Sequence, residues 1–136
     1  MEKVVFACVH NAGRSQMAAA FFNALAAPDR ARAVSAGTEP AEHVHPEVVA
    51  AMREVGFDLS AARPQRLTRE MAVSARLLVT MGCGDACPYV PGLERDDWPL
   101  DDPKGQEPGA VSGIRDEIRR RVEQLVAQHG WSRATL

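Results

Sequence analysis

A short β-branched run that breaks into a polar turn and restarts at once as an alanine-rich segment constrains this chain most. The stretch is VVFACVHNAGRSQMAAAFF, positions 4–22. Val4–Cys8 is apolar, β-branched and too short for a helix, which predicts a buried strand. Gln16–Ala26 follows with strong helix formers until Pro28, and Ser15 is its expected N-cap. The question is why a cysteine ends the strand and an arginine opens the helix.

The rest of the chain repeats the alternation. Ala31–Ser35 reads as a second strand ended by Gly37. In HPEVVAAMREVG, Pro46 suits a first helical turn, Val48, Val49, Met52 and Val55 share a face, and Gly56 suits the C-terminal cap. Thr68–Ala75 predicts a short helix capped by Thr68, and Arg76–Met81 a third strand. Residues 82–109 are irregular and rich in Pro, Gly and Asp, with a short strand near Leu93–Trp98. Val111, Ile114, Ile118, Val122 and Leu125 then recur at spacings of three and four, the apolar stripe of a final helix that runs to Gly130. Alternating strands and helices predict an α/β fold with a parallel sheet flanked by helices. At 136 residues the chain suits a single domain, 1–136.

Apolar residues make up 46 % and charged residues 25 %, the mix of a globular protein. A net charge of -2 gives no basic field for nucleic acid or an anionic membrane, so neither is an expected partner. No apolar run reaches the length of a membrane span, and MEKVV leads straight into the first strand without a signal-peptide pattern. A cytoplasmic monomer is the expectation. There thiols stay reduced, so three cysteines read as catalytic, redox or metal-binding groups rather than a disulfide frame.

In an open parallel sheet, ligands bind beyond the carboxyl ends of the strands. Cys8 ends the first strand and Gly82-Cys83 follows the third, so cysteines distant in sequence can meet at one edge. A strand-to-helix turn aims several N–H groups at one spot with the helix dipole behind them, a cradle for a tetrahedral oxyanion. The amides of Val9, His10, Asn11, Ala12, Gly13 and Arg14 are the expected donors. The same donors stabilise a thiolate at Cys8, and the Arg14 fork can hold two oxyanion oxygens. Asn11 and Gly13 suit a turn that needs positive φ. The competing view, a buried structural cysteine beside a surface arginine, fits burial habits but leaves the turn and Arg-Ser unexplained.

The second cysteine cluster is GCGDACP, residues 82–88. Residues four apart in a tight loop can bring their Cα atoms within disulfide reach, and Gly82 and Gly84 would let the loop swing. A zinc site that also uses His43 and His45 is the alternative, but no second closely spaced pair of cysteines is present, so no metal and no other cofactor is expected.

Cys8-x5-Arg14-Ser15 resembles the signature loop of the low-molecular-weight protein tyrosine phosphatase fold, and the similarity continues through SAGT at 35–38, GCGDACP and WPLDDP at 98–103. It covers nearly the whole chain and implies a four-stranded parallel sheet. Within that fold the chain most resembles the arsenate reductases that use several cysteines. The phosphatases usually carry proline after Arg-Ser and an aromatic pair after the acidic Asp-Pro, where this chain has Gln16 and Lys104-Gly105.

The resemblance implies that Cys8 attacks arsenate, that Ser15 hydrogen-bonds its sulfur, and that Asp102 is the general acid. It implies a disulfide that passes from Cys8–Cys83 to Cys83–Cys87 and is reset by thioredoxin, in arsenic detoxification. Phosphate would compete with arsenate. An acidic residue that helps bind potassium in some relatives is matched by Ala19, so no such ion is expected. The short Cys83–Cys87 spacing leaves mycothiol or bacillithiol as alternative reductants. A phosphatase on small phosphoesters or phosphotyrosine is a second reading. A thiol-based arsenite or metal sensor is a third, although a sensor needs neither the Arg-Ser cradle nor the Asp-Pro acid.

Overall fold

The computed structural model describes residues 1–82 and 90–133. Four strands, β1 (Glu2–Cys8), β2 (Ala31–Gly37), β3 (Leu77–Thr80) and β4 (Glu94–Asp97), form one parallel sheet in the order β2-β1-β3-β4. Among the described residues four helices connect or follow them: α1 (Arg14–Leu25), α2 (Pro46–Glu54), α3 (Arg69–Val73) and α4 (Pro108–Gln128). The chain steps from β1 outward to β2, then crosses back over β1 to reach β3. The strand order therefore reverses between β1 and β3, where open α/β sheets bind their ligands.

The alternation of β1 explains its two buried faces. Val4, Phe6 and Cys8 pack with Met17, Phe21 and Phe22 of α1, Val48 and Met52 of α2, and Ile118, Val122 and Leu125 of α4. Val5 and Ala7 pack on the other side with Ala36, Leu67 and Leu78. A strand sandwiched in this way needs apolar residues at successive positions, as VVFAC supplies. Phe6 anchors the larger core: its ring lies edge-on to Phe22 at 5.9 Å and tilted against Trp98 at 5.7 Å.

The expected elements are all present, with ends moved by a few residues. The second strand runs two residues further, to Gly37, because its pairing with β1 continues until Cys8 is opposite Gly37. Thr68 caps α3 as expected, its side chain accepting from the Met71 N–H. The second helix closes at Gly56 (φ +91°) with Phe57 N–H bound to Met52 O and Gly56 N–H to Arg53 O, a Schellman pair. Two expectations fail. Gly13 sits at φ -146°, outside the left-handed region, so of the two turn residues Asn11 takes the positive φ and Gly13 does not. Helix α1 begins at Arg14 with Gly13 as N-cap and no side-chain cap, so Ser15 is not the cap. The Ser15 hydroxyl is already engaged by Asn11 and Cys8.

Candidate active site

The loop from Cys8 to Arg14 is shaped by where its carbonyl groups go. The carbonyl of Cys8 accepts from Thr38 N–H, that of Val9 from Glu39, that of His10 from Ala41 and that of Ala12 from His45. The Asn11 carbonyl accepts from the Gln16 side chain at 3.1 Å. In a trans peptide the N–H points opposite to the C=O, and the chain has no cis bond among the described residues. The amides of Val9, His10, Asn11 and Gly13 are thereby turned away from the 38–45 segment. The first α-helical bond is Met17 N–H to Gly13 O, so the amides of Arg14, Ser15 and Gln16 precede the internal ladder of α1. A run of backbone donors at a helix N-terminus suits an anion.

Cys8 is free and buried, and its Sγ lies 2.9 Å from Ser15 Oγ. The direction of that bond follows from its neighbours. Gln65 N–H donates to Asn11 Oδ1 at 2.9 Å, which fixes the Asn11 amide and turns Nδ2 toward Ser15. Asn11 Nδ2 donates to Ser15 Oγ at 2.7 Å, leaving the hydroxyl proton for the sulfur. Asn11 itself sits at φ +51°, a left-handed conformation that asparagine tolerates.

Arg14 is buried, donates Nη1 to Leu100 O at 3.0 Å and places Nη2 3.9 Å from Asp102 Oδ2. Among the four nearby aspartates, Asp96 accepts from Trp98 Nε1 and from Asp97 N–H, and Asp97 accepts from the Thr80 hydroxyl. Asp101 is exposed. Asp102 is the carboxylate at the loop, with Oδ1 taken by Lys104 N–H. Pro103 follows it onto Gly13: a Cβ added there would lie 2.9 Å from Pro103 Cγ.

The end of β3 meets the same place. Met81 N–H donates to Ala7 O, which brings residue 81 level with the end of β1. Gly82, at φ +100°, lies so close to Arg14 that an added Cβ would sit 2.5 Å from Nη1. Cys83 and Cys87 lie outside the described residues.

The rim carries His10, whose Nδ1 bonds Glu39 O at 3.0 Å, and His45 at the start of α2. Since a carbonyl only accepts, His10 Nδ1 carries the proton. Burial holds the His45 imidazole below its usual range, opposed by the charges of Glu47 and Asp102. Among the described residues no three His, Cys, Asp or Glu side chains come together as a metal site. No helix among them is long and apolar enough to cross a membrane.

Three residues about the loop escaped the sequence. Gln16 was visible only as a departure from the phosphatase pattern, Gln65 gave no signal, and Leu100 acts through its carbonyl.

Known proteins resemble this chain over most of its length. A Halobacterium salinarum protein, provisionally named an arsenate reductase, is 42 % identical over 127 residues, 90 % of this chain and 89 % of that protein. The "Glutaredoxin arsenate reductase" of a Synechocystis strain is 35 % identical over 131 residues, 94 % of this chain and 98 % of that one. A solved Corynebacterium glutamicum thioredoxin-dependent arsenate reductase superposes with a TM-score of 0.81 at 38 % identity; the match covers 94 % of this chain but 61 % of that one. Residues 3–132 match the sequence pattern of the low molecular weight phosphotyrosine protein phosphatases. The chain is a member of that family.

Proposed function

We propose that this chain is an arsenate reductase that operates as one domain. The Cys8 thiolate attacks arsenic(V) held by the loop amides and Arg14, and Asp102 protonates the oxygen that leaves as water. The Cys83 thiolate then attacks the Cys8 sulfur. The sulfur–arsenic electron pair passes to arsenic, arsenite departs, and a Cys8–Cys83 disulfide remains. Cys87 attacks Cys83, releases Cys8 as thiolate and leaves a Cys83–Cys87 disulfide. Two electrons have moved from two thiols to arsenic, and an external dithiol restores them.

The observation that carries the reductase reading is the packing of Gly82, the residue before Cys83, against the Arg14 guanidinium. A chain that follows Gly82 starts beside the group expected to hold the oxyanion. Similarity to named arsenate reductases supports the same reading. We take thioredoxin, potential about -270 mV, as the reductant. Glutaredoxin and the small thiols mycothiol and bacillithiol are its competitors. A monomer acting in the cytoplasm is part of the proposal.

Phosphate has the same tetrahedral shape as arsenate, so the cradle also supports weak hydrolysis of small phosphoesters as a second reading. The decisive experiment is disulfide mapping by mass after one arsenate turnover, with arsenite measured in parallel. Wild type should show mainly Cys83–Cys87, and Cys87→Ser should trap Cys8–Cys83 and stall with thioredoxin. Cys83→Ser should keep ester hydrolysis and lose arsenate reduction. Undiminished thioredoxin turnover by Cys87→Ser would reduce the cascade to two thiols. No arsenite with any of the reductants would leave only the phosphatase.

A further inference from the structure

We infer that Gln16 is a positioning residue for the Cys8 thiolate, acting through Asn11 and Ser15. Gln16 is buried in the first turn of α1, and its Nε2 faces three oxygens: Asn11 O at 3.1 Å, Asn11 Oδ1 at 3.2 Å and Arg63 O at 3.4 Å. All three can only accept, so the amide nitrogen must be the atom turned toward them. Two of the three belong to Asn11, the residue held at φ +51°. The bonds therefore restrain both the unusual backbone and the side chain of Asn11.

The consequence reaches the sulfur through two further bonds. Asn11 Nδ2 donates to Ser15 Oγ, and the Ser15 hydroxyl is left to donate to Cys8 Sγ. Every donor in the series Gln16, Asn11, Ser15 points toward Cys8. Each bond polarises the next in a buried site, so the series stabilises a negative charge at its end. Gln16 also ties this loop to the 63–65 segment, whose Gln65 N–H completes the grip on Asn11 Oδ1. Any reaction that begins at the Cys8 thiolate would depend on this arrangement, phosphoryl transfer as much as arsenate reduction. The inference thus goes beyond the proposed activity and is testable without arsenic.

The experiment follows alkylation of Cys8 by iodoacetamide against pH in the full chain, with mass mapping to count Cys8 alone. Arg14 and its partner Asp102 are the charged pair at the loop, and His10 and His45, with Glu47 and Lys104 next to His45, are the other titratable groups of the rim. All six are kept in every variant. Ser15→Ala should raise the midpoint by about one to two pH units, the worth of a hydrogen bond to a charged group. Gln16→Met should raise it by about half a unit, and Gln16→Glu by more, since a carboxylate would face Asn11 oxygens. The double variant Gln16→Met/Ser15→Ala should match Ser15→Ala alone, because the series is already cut at Ser15. An unmoved midpoint in Gln16→Met, or shifts that add in the double variant, would overturn the inference. Should Gln16→Met fold poorly, Gln16→Ala serves in the same cycle, with the same outcomes deciding.

Discussion

Arg14 and Asp102 face each other at the open side of the loop, with Nη2 3.9 Å from Oδ2 and side chains 9 % and 44 % exposed. At that distance the charges attract without a formed hydrogen bond. A half-exposed pair of this kind contributes at most about 1 kcal/mol to stability. Its importance is positional: the guanidinium is fixed by Leu100 O, and the carboxylate that faces it is held through Oδ1 by the Lys104 N–H. An acid at this point could protonate an oxygen leaving along the line from Cys8.

Asp102→Asn should therefore separate binding from chemistry. Arsenate turnover and phenyl phosphate hydrolysis should fall by about 10²-fold or more, the usual range for a lost general acid. p-Nitrophenyl phosphate, whose leaving group needs little protonation, should lose much less, and Cys8 alkylation should be unaffected. Equal losses on both esters would move the acid elsewhere among residues 96–101.

Gly82→Ala should strike Arg14. The new Cβ would stand 2.5 Å from Nη1, and φ +100° adds backbone strain. Competition by phosphate should weaken by about tenfold or more, the worth of one hydrogen bond to a charged group. Gly92→Ala is the control: φ is +82° but nothing lies within 4 Å. It should cost about 1 kcal/mol of stability and leave phosphate competition alone. If Gly82→Ala binds phosphate normally, the close approach to Arg14 has no part in the site.

The periodic elements were legible because each buries a regular face. The α4 stripe and the continuous apolar run of β1 are direct images of the packing in the structure. Element ends were less legible, since they depend on pairing register, as at Gly37, or on tertiary competition, as at Ser15. A serine before a helical run signals an N-cap only when its hydroxyl is free, and here Asn11 and Cys8 claim it. The expectation that Cys8 and Arg14 share one loop comes from the spacing of the motif, and the choice of Asp102, which the structure places 3.9 Å from Arg14, comes from the family resemblance. The grip of Gln65 and Gln16 on Asn11 could not be read, because the Gln65 bond spans 54 residues and the Gln16 amide meets Asn11 only once the turn has folded.

The surface of α4 supplies a pH dependence. Hydrogen bonds from Arg120 first and Arg121 next pull the Glu117 carboxyl down to about 2 from an ordinary 4.5. A carboxyl lowered on folding adds stability that is complete above about pH 4.5 and disappears as pH falls toward 2. Glu117→Gln should therefore be slightly less stable than wild type at neutral pH, and the difference should close across that acid window. Urea unfolding at several pH values measures it, and added salt should shrink the gap because the pairs are accessible to solvent. A gap of constant size from neutral pH to pH 2 would assign it to helix propensity instead.

Gly13→Ala should give the opposite pattern to Gly82→Ala. The added Cβ would lie 2.9 Å from Pro103 Cγ, and Val48 Cγ2 at 3.6 Å closes the other side. Something has to shift, and Pro103, though buried, lies between exposed Asp102 and Lys104, whereas Val48 is locked in the core. Moving the acid by even about 1 Å can cost up to about 10²-fold in rate. Hydrolysis of phenyl phosphate should fall far more than that of p-nitrophenyl phosphate, and competition by phosphate should change little because Arg14 keeps its place. Gly13 lies in the loop itself, so the alternative is damage to the cradle. That alternative predicts weakened phosphate competition with no change in the ratio between the two esters, and such a result would remove the Pro103 contact from the account of how Asp102 is held.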